Sequence, residues 1–201
     1  MACLPKKEGG GLDVDRIVEA AWNLVDREGV AALSTRALAA ELNVKSPALY
    51  WHVRNKQELL SLMVERVLGE AVAAPLEDLD WKERIRIMVR EQRRAFLSHR
   101  DTGLILSIVT MTERLRTEIF PRFIAPLLPV GISEKQAHAI GGALASLILG
   151  WIIYEQHDQS RAFMTSMNDP DEAFEFALDA FVSGIEAIAQ RTSQPRRPGQ
   201  E

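Results

Sequence analysis

Residues 137–154 read AHAIGGALASLILGWIIY, and no other stretch limits the fold so sharply. The run contains no Asp, Glu, Lys or Arg. A helix that is apolar nearly all round must be covered on more than one side, by protein or by lipid. As a membrane span it has about the minimum length. Gly142, Ser146 and Gly150, spaced four apart, would suit close helix contacts in a bilayer. Two features favour a soluble bundle instead. Ser133 and Gln136 form a capping box ahead of it, and basic anchors are missing from its flanks. Its neighbours are amphipathic helices, so a buried helix with no membrane partner is expected.

Those neighbours follow from apolar spacing and helix-start residues. Asp13 caps a first helix with Val14, Ile17, Val18, Ala21, Leu24 and Val25 on one face, ended by Gly29. Ser34 caps a second, with Leu38 and Leu42 inward, and Asn43 supplies a residue tolerant of the left-handed conformation. Ser46-Pro47 starts a third, as N-cap and first helical residue, running to about His52. Asn55 with Glu58 opens a fourth, closed by Pro75. Further helices are expected over 81–99, irregularly over 102–128, over 133–157 and from Asp169-Pro170 to about Arg191, with a polar loop at 158–169. No alternating strand pattern occurs, so the fold class is all-α. Residues 1–12 are expected as a disordered arm, 13–72 as one domain, 73–191 as a second, and 192–201 as a disordered tail.

Composition excludes several functions. The 201 residues carry a net charge of −4, so any affinity for nucleic acid must be local. It is local: between Ser34 and Lys56 the cations Arg36, Lys45, Arg54 and Lys56 face a single carboxylate, Glu41. Cys3 is the only cysteine, which excludes an internal disulfide or a cysteine metal site. No signal peptide is recognisable near the N-terminus, and a cytoplasmic location is expected. Signatures of catalysis are missing: there is no HExxH, nucleophile elbow or phosphate-binding glycine loop. Gly9-Gly10-Gly11 falls in the arm, and His99 with Asp101 has no nucleophile beside it. The chain is read as no enzyme, with no cofactor or metal.

The second and third helices, joined by a tight turn, have the dimensions of a helix-turn-helix. Leu38, Leu42, Val44 and Leu49 would pack the pair, leaving Lys45, Ser46, Ala48, Tyr50, Trp51 and His52 outside. Thr35 and the helix N-termini suit phosphates, and Arg36 suits a guanine edge. On spacing alone, Tyr50 and Trp51 fit a hydrophobic core equally well, and a helical interaction module without DNA is an open alternative.

The run STRALAAELNVKSPALYWHVRNKQELL (34–60) resembles the DNA-binding domain of the tetracycline-repressor (TetR) family, with similarity extending over 13–72. The resemblance implies a dimeric, ligand-responsive transcriptional regulator, in the usual case a repressor released from a palindromic double-stranded operator. It places base contacts on Arg36, Lys45, Ser46, Pro47, Ala48, Tyr50 and Trp51, and phosphate contacts on Thr35, Tyr50, His52 and Lys56. Lys45 stands where the best-known members carry an acidic residue, which implies a different base preference there.

In the second half, Gly142, Ser146 and Gly150 on one helix and Ala180 and Gly184 on the last form two small-residue faces. They could pack on each other within one chain. In the family the corresponding helices form the homodimer interface, so the same residues are expected there. Met88, Phe96, Leu106, Met111, Phe120, Trp151 and Tyr154 would line an apolar effector pocket or serve as plain core. Gln92 and His99 fall on the apolar face of the 81–99 helix, where an unpaired polar group is costly, so both are candidates to orient a small-molecule effector. Similarity is fainter here, around RRAFLSHRD and GWIIYEQHD. It aligns Val72, Leu106 and Tyr154 with polar drug- and magnesium-contacting positions of tetracycline-binding members, which implies a more lipophilic ligand and no magnesium. Glu155, His157 and Asp158 do not share a helical face and are read as a solvated helix end.

Overall fold

The computed structural model describes residues 12–73 and 76–193, so Pro75, the arm before Leu12 and the tail after Ser193 lie outside the described residues. No β-strand occurs among the described residues. Helix α1 (Val14–Glu28) starts where the Asp13 carboxylate accepts the Arg16 N–H at 2.8 Å, and buries Ile17, Val18, Ala21, Leu24 and Val25. It ends at Gly29, whose φ of 84° suits glycine. Helix α2 (Thr35–Glu41) is capped by Ser34, and Asn43 turns the chain at φ 53° into α3 (Ser46–Tyr50). Helix α4 (Lys56–Ala71) follows an Asn55 cap. One detail departs from expectation. Lys45, not Ser46, holds the N-cap position of α3, and the Ser46 hydroxyl makes no capping bond. With Pro47 in the first turn the helix needs one donor fewer, so it starts without a side-chain cap.

The second half is a bundle. Helix α5 (Trp81–Leu97) packs on α4 and on α8 (Glu134–Gln156), with α10 (Pro170–Ser193) alongside. Between α5 and α8 lie α6 (Thr102–Ile108), a π turn at Leu115–Ile119, α7 (Phe120–Ile124) and a 3-10 stretch at Ala125–Val130. The α5–α10 pairing is antiparallel and marked by ion pairs in matching order. Lys82 meets Glu186, Arg86 meets Asp179, Arg90 meets Glu175, and Arg93 meets Asp171. Largely exposed pairs of this kind contribute only about 0–1 kcal/mol each, so their main effect is to fix orientation. Arg93 is different: it is nearly buried, also pairs with Glu155 of α8, and lies 4.5 Å from the Phe174 ring centre. Burial would lower its pKa, but its bonds to Glu155 and Asp171 win and hold it above the ordinary arginine value.

Two expectations fail here. Residues 158–169 are not a loop: most of them form helix α9 (Asp158–Met167), because the His157 ring accepts the Ser160 N–H and caps it. Glu155 is no solvated end either, being paired with Arg93. None of the α9 side chains is buried, and its Phe163 and Met167 are exposed.

The two halves are joined by a polar clasp. The His99 ring stacks on Trp22 with centres 4.1 Å apart and bonds Asp26 at 2.8 Å, while the Arg100 N–H donates to the other Asp26 oxygen. Next to it Asp101, at φ 59°, accepts the Val30 N–H at 2.7 Å. A Cβ on Gly29 would come within 3.0 Å of that carboxylate. From the other side, Gln156 of α8 accepts the Gly103 N–H and donates to the His99 carbonyl.

The left-handed backbone at Asp101 is thus held by a bond to another helix. Replacing Asp101 by Ala should cost about 2 kcal/mol, from a lost part-buried hydrogen bond and an unfavourable φ. Asp101→Gly, which relieves the φ, should cost roughly half. Urea unfolding monitored by circular dichroism separates them; equal losses would show that the backbone strain contributes nothing.

Candidate DNA-reading surface and ligand cavity

The short helix α3 sits at the surface of the α1–α4 unit, anchored by the buried Leu49 and, just beyond it, Val53. That anchoring turns its remaining residues outward. Trp51 is 89% exposed and Tyr50 55%, so the core alternative for both is excluded. Arg36, Lys45 and Pro47 are exposed, while Thr35, Ser46, Ala48 and His52 are half-buried along the same surface. Of the carboxylates near this surface, Glu58 accepts the Arg54 backbone N–H at 2.6 Å, and Glu41 is taken by Arg27 of α1 through two bonds, at 2.7 and 3.3 Å. That pairing lowers the Glu41 pKa and raises that of Arg27, so the carboxylate stays ionised and neutralised. Lys56 is exposed but spends one N–H on the Val30 carbonyl at 3.0 Å, which leaves the others for a phosphate. A bare Trp–Tyr pair beside unneutralised cations is an expensive surface in water and a useful one against phosphates and base edges.

In the second half, a cavity of about 600 Å³ opens between α4, α5, α6, the 111–116 segment, α7 and α8. Met88, Gln92, Phe96, Leu106, Met111 and Phe120 all line it, together with Leu68, Thr112, Phe123, His138 and Leu144. Three expected members do not. His99 is engaged in the clasp with Trp22 and Asp26. Trp151 points away, edge-on to Phe174 at 5.5 Å, and Tyr154 is half exposed on the outer side of α8. Of the other two positions aligned with drug contacts, Leu106 lines the cavity and Val72 is buried in the cluster beneath it.

Sequence reasoning missed Thr112, His138 and Gly141. Gly141 is needed because a Cβ there would meet Phe120 at 2.9 Å and Ile124 at 3.0 Å, so α7 could not close the cavity. The doubled glycine at 141–142 was the available signal, since adjacent residues face different sides of a helix. Gly142, Gly150 and Gly184, by contrast, meet nothing within 4 Å. Ser146 and Ala180 are exposed too, although Ser146 also reaches the cavity rim. The alternative that the two small faces pack on each other inside one chain is therefore excluded.

The cavity is coupled to the reading head through one stripe of α4. Gln57 donates to the Ile108 carbonyl and Ser61 to the Thr110 carbonyl, at 2.7 and 2.9 Å. Glu65, buried, accepts from the Thr112 hydroxyl at 2.5 Å and from Arg114 at 2.8 Å. The three α4 residues are four apart and hold one segment, whose Met111 and Thr112 form part of the cavity wall.

With this geometry, comparison with known proteins is decisive. Residues 17–63 match the family described as bacterial regulatory proteins, tetR family, and residues 74–166 match the tetracyclin repressor-like C-terminal domain. The class E tetracycline repressor protein of Escherichia coli is 34% identical over 147 residues, covering 72% of this chain and 69% of its own. The chain belongs to the TetR family of bacterial transcriptional regulators. Among solved structures, BioQ, known from Mycobacterium smegmatis, with its natural double-stranded DNA operator is 31% identical, with a TM-score of 0.68 over 88% of this chain and 99% of that one. Streptomyces coelicolor ActR in complex with actinorhodin is 28% identical, with a TM-score of 0.74 over 88% and 96%. TetR-family proteins are typically DNA-binding regulators rather than enzymes, and α8, though long and apolar enough to cross a membrane, has the place of a bundle helix in this fold.

Because Trp51 packs on nothing in the fold, Trp51→Ala should change unfolding free energy by less than about 0.5 kcal/mol. Leu49→Ala, two residues away and buried, should cost about 2–4 kcal/mol. Thermal melts of the two variants test the outward orientation of α3; a large loss for Trp51→Ala would overturn it.

Proposed function

We propose that the protein is a cytoplasmic, homodimeric repressor that works by binding rather than by catalysis and leaves its operator when a small, largely apolar molecule fills the cavity. The observation that carries the DNA reading is the exposed Tyr50–Trp51 pair on α3, flanked by Arg36 and Lys45. On this reading Arg36, Lys45, Ser46, Pro47, Ala48, Tyr50 and Trp51 meet base edges in the major groove. Thr35, Tyr50, His52 and Lys56 hold the backbone.

The dimer forms through the open faces of α8 and α10. Gly142, Ser146, Gly150, Ala180 and Gly184 allow close helix approach, and Phe176, 77% exposed on α10, needs cover. Two-fold symmetry then places two copies of α3 about one turn of DNA apart, which calls for an operator with inverted half-sites. An effector lowers DNA affinity only by favouring a different spacing of the two heads. A molecule pressing on Met111 and Thr112 displaces the segment that Gln57, Ser61 and Glu65 tie to α4, and α4 carries the head with it. BioQ has been solved on its operator and ActR with actinorhodin, which supports both halves of this reading by analogy.

The deciding experiment is fluorescence anisotropy with DNA fragments from upstream of the protein's own gene and its neighbours, at two salt concentrations, against scrambled DNA. Tight binding to one fragment, weakened at least about tenfold in Tyr50→Ala with unchanged circular dichroism, is expected, since a direct base contact is worth about 1–3 kcal/mol. Equally weak binding to all fragments, followed by a random-sequence selection that enriches nothing, would refute DNA recognition. Sedimentation should separately show Gly184→Arg to be monomeric where the wild-type protein is dimeric, because the new side chain has no room in a close helix contact; a Gly184→Arg dimer would move the interface elsewhere.

A further inference from the structure

Gln92 is the buried polar side chain in a mainly apolar cavity lining. It is 8% exposed, lies on α5 among Met88, Val89 and Phe96, and faces the cavity. Its side-chain amide has no hydrogen-bond partner among the described residues. An amide offers two N–H donors and a carbonyl acceptor, and with no protein partner they are directed to whatever occupies the cavity. The other buried hydroxyls and carboxylate among the described residues are satisfied within the protein, Ser61 by Thr110, Glu65 by Thr112 and Arg114, and Thr102 by the Phe96 carbonyl, while the buried nitrogens left unpaired, on Trp22, Arg84 and Trp151, belong to side chains that do not line the cavity.

The cavity's charges point the same way. Glu113 and Arg116, the oppositely charged groups in its lining, are exposed at its edge and paired with each other. That pairing lowers the Glu113 pKa and raises that of Arg116, and both charges stay at the solvent-facing rim. His138 donates from Nδ1 to the Glu134 carbonyl, which leaves its Nε2 as an acceptor in the neutral ring. A charged ligand would lose its hydration and find no counter-charge inside. An uncharged one with a single polar group loses little and satisfies the amide.

We infer that Gln92 is the specificity determinant of the cavity and that the effector is an uncharged, mainly hydrocarbon molecule bearing a hydroxyl or carbonyl that hydrogen-bonds the Gln92 amide. This rests on the effector-binding reading above and narrows it to a ligand class.

The test uses three fluorescent probes with one skeleton: pyrene, 1-hydroxypyrene and 1-pyrenecarboxylate, titrated into the DNA-free protein at neutral pH. The wild-type protein should bind 1-hydroxypyrene about three- to tenfold more tightly than pyrene, as a net hydrogen bond allows, and 1-pyrenecarboxylate most weakly. In Gln92→Leu the preference for the hydroxyl should vanish while pyrene binds at least as tightly, which also reports that the cavity is folded. Gln92→Glu should reject all three through its buried charge. An unchanged hydroxyl preference in Gln92→Leu, a carboxylate that binds best, or no binding of any probe to the wild-type protein would overturn the assignment. Probe binding is read without DNA. An intact preference in a protein that fails to recognise any operator would sink the repressor reading alone.

Discussion

Helix α8 can satisfy only one of its sides within its own chain, and much of the molecule is arranged around that constraint. Its inner stripe of Ala137, Ile140, Gly141, Leu144, Ile148 and Ile152 is buried against α5, α6 and α7. Leu144 and Ile148 also serve as cavity wall. Gly103 lets α6 cross it closely, since a Cβ there would come within 3.0–3.3 Å of Ile153. Its C-terminal end supplies Glu155 to Arg93 and Gln156 to the clasp. The outer side, with Gly142, Ala143 and Ser146, is open. A helix this apolar with an uncovered side is a costly surface in water, which is why this side is the one proposed for the dimer contact. Cavity wall, clasp and the face proposed for dimerisation are all carried by this one helix.

Stability is spread unevenly around this helix. The apolar core runs without a break from Ile17 in α1 to Ala189 in α10, which makes the head and the bundle one packed body despite their separate roles. The ion-pair ladder between α5 and α10 sets the direction of packing at small individual energies. Arg93, enclosed by Glu155, Asp171 and the Phe174 ring, is where losing one partner would strand a buried charge. Rigidity is thus concentrated where α5, α8 and α10 meet. The cavity lies on the other side of α5, and its wall includes Met111 and Thr112, which are outside any helix.

What the sequence disclosed and what it hid divide along physical lines. Elements governed by local chemistry were legible. Asp13, Ser34, Asn55 and Ser133 cap the helices they precede, and Asn43 takes the positive φ that its short polar side chain tolerates. The outward face of α3 needed more, because a helix this short has no periodicity of its own; the pattern of neighbouring residues, read as a family resemblance, pointed outward and the fold agrees. Features set by distant partners stayed hidden. Asp101 adopts a positive φ because Val30, 71 positions away, offers it an N–H. His99 continues the apolar spacing of α5 but lies just beyond its end, where Trp22 and Asp26 claim it, so its polarity was a sign of a joint and not of a ligand. Helix α9 escaped notice because nothing it contains is buried. The α5–α10 ladder was written in two opposed charge stripes, but which stripes meet depends on the topology between them.

The same division explains why Gln92 and His99, indistinguishable in sequence, have different standing in the fold. Gln92 lies on the apolar side of α5 and His99 just past its end, seven positions on, and burial would penalise either if left unpaired. At His99 the chain supplies the partner from α1, and the cost is met within the protein. At Gln92 it supplies none, and the cavity wall includes Met111 and Thr112, in a segment held to α4 by Gln57, Ser61 and Glu65. An unsatisfied group facing a wall that is itself hinged on the reading head places the demand for a ligand and the means of responding to it at one spot. Filling the amide's hydrogen bond and displacing the segment favour the same bound state, so the energy of recognition is available to move α4, whereas a bond at the clasp would only lock the halves together.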